Sequence, residues 1–348
     1  MKKMLMAAGM AAVMTACGTA GQKAATDAGN PFLAEYSTPF GVPPFDLIKI
    51  EHYKEAFLKG MEEQKKEIDA IVNQRSVPDF DNTIAAFDQS GELLNKVSTV
   101  FSGLNSCNTN DEMQAFNKEI TPLLSAHRDD ISLNPALFAR VKEVYERREK
   151  LGLDKEQNKL LEETYKKFVR GGANLDSVDQ AKLRQLNSEI SMLQLTFGQN
   201  LLKETNAFEL VIDKKEDLAG LPESLVASAA EAAKGAGMEE KWLFTLHNPS
   251  VMPFLQYADN RELREKIFKG YINRGNNGNE ADNNEIVKKL VALRLEKAKL
   301  MGYADYASFI LEDRMAKNEE NVYRLLNQIW TPAVAKAKEE LFDIQAEI

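Results

Sequence analysis

The sequence predicts a mainly α protein with one small β element near residues 207–246. Three observations carry that prediction. From Ile50 onward, apolar residues return at steps of three and four with polar residues between them, the spacing of a helix with one buried face. The stretches "FELVI" from Phe208 and "WLFTL" from Trp242 break that pattern; each concentrates β-branched and aromatic residues between turn residues. Prolines 31, 39, 43 and 44 keep the chain out of a helix until about Lys49, so this part is expected to lie extended across the body.

Taken in order, the helical pattern covers Ile50 to Asn73, Asp81 to Leu104, Asp111 to His127, Pro135 to Leu151 and Lys155 to Gly171. Asn82, Thr83 and Ser177 are candidate N-caps, and Gly171 with Gly172 is a candidate stop. The longest helix runs from Ser177 to about Asn206. Its Leu183, Leu186, Ile190, Leu193, Phe197 and Leu201 form a heptad-like seam, read as packing inside one chain rather than between chains. The two short strands are expected to pair beside a helix near Pro222 to Lys234. Helices resume over Val251 to Ala258, Asn260 to Asn273, Asn284 to Met301 and Tyr303 to Asp313, with Gly302 at a C-cap. From Asn318 one apolar face persists to Ile348, with a bend expected at Pro332. A face of that length requires a covering surface, and the chain reads as cut in mid-pattern.

Composition narrows the function. With 44% apolar and 28% charged residues the chain is a globular protein, and its net charge of −9 is spread along helical faces. No run of Lys and Arg is interleaved with aromatic residues, so nucleic acid is not an expected partner. The start differs in kind. Lys2 and Lys3 precede an uncharged run from Met4 to Ala16 of about 13 residues, too short to span a bilayer but right for a secretory signal. Ala16 before Cys17 resembles a bacterial lipobox, with Met14 and Thr15 departing from its commonest residues; cleavage near Ala20 is the rival reading. The expected organisation is a signal over 1–17 with lipidation at Cys17, a tether over 18–30 and a helical body over 31–348. Export to the bacterial cell envelope as a lipoprotein facing the periplasm follows from it. Cys107 is then left without a disulfide partner.

A search for chemistry finds little. The three histidines, His52, His127 and His247, are far apart in sequence, and there is neither H-E-x-x-H nor a paired-cysteine site. "HYKEA" offers His52 and Glu55 at helical spacing, yet Ala56 stands where an inverted zincin motif needs its second histidine. "RGNNGNEADNNE", Arg274 to Glu285, is rich in side-chain oxygens but lacks EF-hand spacing and reads as a turn leading into a capped helix. Cys107 has no nearby histidine to activate it and reads as a spare thiol.

The order of several stretches is more specific than any of them alone. "NPFL", "TPFGVPPFDLIKIEHYKEAF", "FDNTIAAFDQSGELL", "NLDSVDQAKLRQLNSEISMLQLTFGQN", "LAGLP", "YADNRELREKIFKGYINRG" and "LRLEKAKLMGYADYASFILEDRMA" follow one another over Asn30 to Ile348. In that order they resemble the N-terminal half of the thimet oligopeptidase family of zinc peptidases, and above all its bacterial peptidyl-dipeptidase branch, the dipeptidyl carboxypeptidases. The resemblance implies a helical, two-lobed body with a deep channel. It also implies a zinc ion held by the histidines of H-E-x-x-H and a downstream glutamate, and removal of C-terminal dipeptides from short unfolded peptides. This chain stops before those ligands, so no catalytic or metal residue is expected within it. The alternative is a lipid-anchored helical binding or scaffold protein without catalysis.

Overall fold

The computed structural model describes residues 29–348, so the signal segment and Cys17 lie outside the described residues. The fold is mainly α. After 3-10 turns at Pro31–Leu33 and Pro39–Gly41, helix α1 spans Ile50–Asn73. The pattern expected as one helix over Asp81 to Leu104 divides into a π turn at Phe80–Ala85, a short α2 at Ala86–Gln89 and α3 at Glu92–Cys107. Gly91 explains the division. Its φ of 80° is left-handed, its N–H donates to Glu67 at 2.7 Å, and an added Cβ would collide with the Gln64 amide. The cap is Asp79 rather than Asn82 or Thr83. Asp79 accepts from the Asn82 N–H at 2.7 Å, and Asn82 returns the bond to the Asp79 N–H at 3.1 Å.

Helices α4 (Asp111–Ser132), α5 (Pro135–Arg147) and α6 (Lys155–Arg170) follow, with α4 running five residues past His127. Asn110, Asn134 and Asp154 cap them by accepting backbone N–H bonds. The long helix α7, Ser177–Ala207, is capped by Asp176 and not by Ser177. It packs on α4 and on α11 (Asn284–Leu300) of the same chain, as the seam predicts. Strands β1 (Leu210–Ile212) and β2 (Trp242–Phe244) pair antiparallel, with Val211 opposite Leu243, and α8 (Glu223–Gly235) packs against β2. Helices α9 (Asn248–Tyr257) and α10 (Arg261–Ile272) precede α11. The last two helices are α12 (Tyr306–Leu311), shorter than its apolar pattern suggests because Asp305 caps it, and α13 (Glu319–Glu347). Helix α13 is continuous through Pro332.

Three apolar cores hold these elements. The first is aromatic: Phe57, Phe101 and Phe116 meet edge-on or tilted at 5.3–6.0 Å, joined by Phe32, Tyr53 and Ile120. Gly60 lets α1 approach α3 closely, because a Cβ there would stand 2.8 Å from the backbone nitrogen of Leu94. The second core gathers Ile84, Leu137, Val141, Leu161 and Phe168. The third joins the two strands to α8, α9 and α10 through Leu210, Phe244, Phe254 and Ile267.

One ionic strut fastens the end of the body. Arg170 of α6 donates to the Glu312 carboxylate at 2.7 Å and to the Phe309 carbonyl at 2.6 Å, and its guanidinium lies 4.4 Å from the centre of the Phe309 ring. Lys166 pairs with Asp313 beside it. The turn after α11 is closed by Gly302, at φ 87°, with the Tyr303 N–H returning to the Ala298 carbonyl at 2.9 Å.

Candidate functional site

Each histidine is engaged in a different element. His52 sits in the first turn of α1, where its Nδ1 accepts from the Lys49 N–H at 3.1 Å. Neighbouring Glu55 accepts from Asn30 at 3.0 Å. His127 is buried inside α4, not at a helix end, and its Nε2 lies 2.7 Å from Oε1 of Gln64. His247 precedes α9 and bonds Thr245 at 2.9 Å and Asn206 at 3.1 Å. Among the described residues no group of three or more His, Cys, Asp or Glu side chains is placed to hold a metal ion. Cys107 is the exposed last residue of α3, its thiol bonded to the Gly103 carbonyl.

The structure assembles two buried polar groups that sequence reasoning missed. Glu204 stands on the α7 seam one step beyond Leu201, where the alternation of threes and fours calls for another apolar residue. That misplaced charge was the available signal. Its carboxylate accepts from the Gly275 N–H at 2.6 Å, Asn277 at 2.6 Å and Asn279 at 2.5 Å, so the loop after α10 wraps around it. Burial alone would raise the Glu204 carboxyl pKa, but the bonds from Asn279, Gly275 and Asn277 outweigh it and hold it below the ordinary value. The asparagine-rich stretch is therefore a turn built on a buried acid. Asn283 continues the network, donating to the Phe197 carbonyl and accepting from Asn200.

The second group joins α4, α7 and α11. Asn187 donates to Asp129 at 2.8 Å and accepts from Lys297 at 2.6 Å. Burial raises the Asp129 pKa and lowers that of Lys297, so both charges stand in a poor solvent and the amide between them satisfies each. Both groups position helices, and neither opens a reaction site.

The surface carries the larger signal. On α11, Val287, Val291 and Leu295 repeat every four residues and are 46, 63 and 38% exposed, while Phe268 and Ile272 do the same on α10. Helix α13 has no buried residue at all; Leu325, Ile329, Trp330, Leu341, Phe342 and Ile344 stand more than half exposed. Such apolar stripes on solvated helices mark surfaces that another element covers.

These stripes fall within residues 254–348, the part of the chain that matches the sequence pattern of peptidase family M3. Over 319 residues, 92% of the chain, it is 40% identical to a dipeptidyl carboxypeptidase of Escherichia coli. The chain belongs to peptidase family M3. A dipeptidyl carboxypeptidase of Salmonella typhimurium is 39% identical over 91% of the chain, and an oligopeptidase A of Haemophilus influenzae is 29% identical over 88%. The chain covers 47, 46 and 45% of these three M3 relatives, so it spans about half the length of the proteins it matches.

Proposed function

We propose that the chain is the N-terminal part of an exported zinc metallopeptidase that removes C-terminal dipeptides from short, unfolded peptides. The observation that carries this reading is the difference between 40% identity to a dipeptidyl carboxypeptidase and 29% to an oligopeptidase A. The described residues do not fit a catalytic zinc, which needs about three protein ligands around one open position. On this reading the ligands, the second lobe and half of the channel come from the rest of a longer polypeptide. The apolar stripes of α10, α11 and α13 then form the seat for that remainder. A polypeptide extended to the relatives' length should release C-terminal dipeptides from a blocked tetrapeptide, and a chelator should stop it. Absence of both zinc and release from the extended form would turn the reading toward a helical scaffold.

The uncovered helix gives a second expected result. Each large side chain of α13 left in water forfeits about 2 kcal/mol of burial. The 348-residue chain should self-associate and bind a hydrophobic dye, and replacing Leu325, Ile329, Leu341 and Ile344 with lysine should return it to a monomer in light scattering. A dye-silent monomer before substitution would count against a missing cover.

Export and anchoring rest on Lys2, Lys3, the apolar run and Cys17. In a bacterial host, Cys17→Ala or globomycin should leave an unprocessed precursor and remove the protein from detergent-extracted membranes. Unchanged mass and fractionation in both treatments would exclude lipidation.

A further inference from the structure

A second exposed apolar surface lies far in sequence from α10, α11 and α13, in the proline-rich loop 38–48. Phe40 is fully exposed, and Val42, Phe45 and Leu47 are 47, 50 and 42% exposed. Phe40 takes a φ of 59°, a left-handed conformation that is costly for a bulky residue, and its ring stands clear of the protein. Pro39, Pro43 and Pro44 stiffen the loop, so these side chains are displayed at little further cost in order. A patch of this kind on a folded body marks a contact with another protein or with a membrane.

The backbone of the loop favours the membrane. Its prolines carry no N–H, and the N–H groups of Gly41, Val42, Phe45, Leu47 and Ile48 donate to carbonyls inside the loop at 2.8–3.4 Å. The Val42 carbonyl accepts from the Thr38 hydroxyl. Few backbone groups therefore depend on water, which is the requirement for entering a lipid interface. The surrounding charges are mixed, Glu35, Asp46, Lys49 and Glu51, so such a contact rests on apolar burial rather than on attraction to anionic lipid.

The position of the loop agrees. Asn30 is pinned to the first turn of α1, donating to the His52 carbonyl at 2.8 Å and to Glu55 at 3.0 Å, and the loop leads into that same turn. The described chain therefore begins beside the loop. At about 3.5 Å per extended residue, Asn30 lies at most about 45 Å from Cys17.

We propose that this loop inserts into the surface of the lipid bilayer that holds the Cys17 anchor, with Phe40 deepest and Val42, Phe45 and Leu47 at the headgroup level. The inference rests on the lipoprotein reading and adds an orientation to it. The start of α1 is turned to the bilayer, and its other end, about 36 Å along its 24 residues, is turned away.

The test uses the acylated polypeptide extended to the relatives' length, so that the remainder can compete for the loop, reconstituted in phosphatidylcholine vesicles with brominated acyl chains. Phe40→Trp and, as a control, Val77→Trp beyond the far end of α1 each add one indole at an exposed position. Relative to the unsubstituted protein, the emission added by Phe40→Trp should be blue-shifted and lost to bromine. That added by Val77→Trp should survive bromine and be lost to aqueous iodide. Iodide quenching of Phe40→Trp would place the loop in water, emission reached by neither quencher would place it under the remainder, and loss of both indoles to bromine would mean no preferred face; each overturns the proposal. A polypeptide that does not stay on the vesicles overturns the lipid anchor as well, whereas one that stays with Phe40→Trp unquenched by bromine overturns the loop contact alone.

Discussion

Purified alone, the 348-residue chain is expected to contain no stoichiometric zinc and to release dipeptides more slowly than the extended polypeptide by on the order of 10⁶-fold or more, the scale of enzymatic rate enhancement. The reason lies in ligand supply. A helical catalytic site takes two histidines four residues apart, and this chain has three histidines held in three separate elements. His52 has its Nδ1 committed to a helix start, and His127 is buried with its Nε2 bonded to the Gln64 amide. Only His247 is on a turn, and there both of its ring nitrogens already face partners. Zinc content by atomic absorption and dipeptide release with and without chelator, measured on both forms, check this. Chelator-sensitive release by the short form would point back to His52 and Glu55.

Replacing Glu204 with alanine is expected to destabilise the chain by opening the loop after α10. It strands the buried Gly275 N–H and removes the anchor of the exposed Asn277 and Asn279 amides, a cost of about 1–3 kcal/mol. At this chain size the melting temperature should fall by about 2–5 °C. The glutamine variant separates shape from charge, since it fills the space but turns an amide N–H₂ toward donors. The pH dependence has a definite sign. Because the Glu204 carboxyl is held below its unfolded value, its contribution is complete above the ordinary glutamate pKa of about 4.3 and is lost as the pH falls through the lower folded value. The unsubstituted protein should therefore lose an acid-sensitive component of stability that the alanine and glutamine variants lack. Denaturant melts between neutral pH and pH 3 measure it, and an identical acid slope in all three would show that the loop does not depend on this charge.

The elements that were legible in the sequence are those fixed by local periodicity. Helix α1 has the same bounds by pattern and by structure, and the two strands pair as their composition suggests, because burial on one face is written into residue spacing. The break at Gly91 was not legible, since it depends on Gln64 and Glu67 arriving from α1. The caps were displaced for a smaller reason. Asp79 and Asp176 stand just ahead of the asparagine and serine that the pattern favours, and a carboxylate gains more from helix N–H groups. Neither buried network was visible either. Glu204 is 73 and 75 residues from its two asparagines, and Asn187 is 58 from Asp129 and 110 from Lys297, so only the tertiary fold brings them together. The family was legible from the order of several unremarkable stretches, whereas no single residue announced an active site.

The three cores draw on successive and mostly short stretches of chain: the first on residues 32–124, the second on 68–173 and the third on 208–271. Each can close soon after its own residues have left the ribosome, without waiting for distant sequence. Folding that proceeds in the order of synthesis keeps little apolar surface waiting at any moment. Helix α13 is the exception. It has no core of its own among the described residues, so the last part of this chain to emerge is also the part that this chain leaves uncovered.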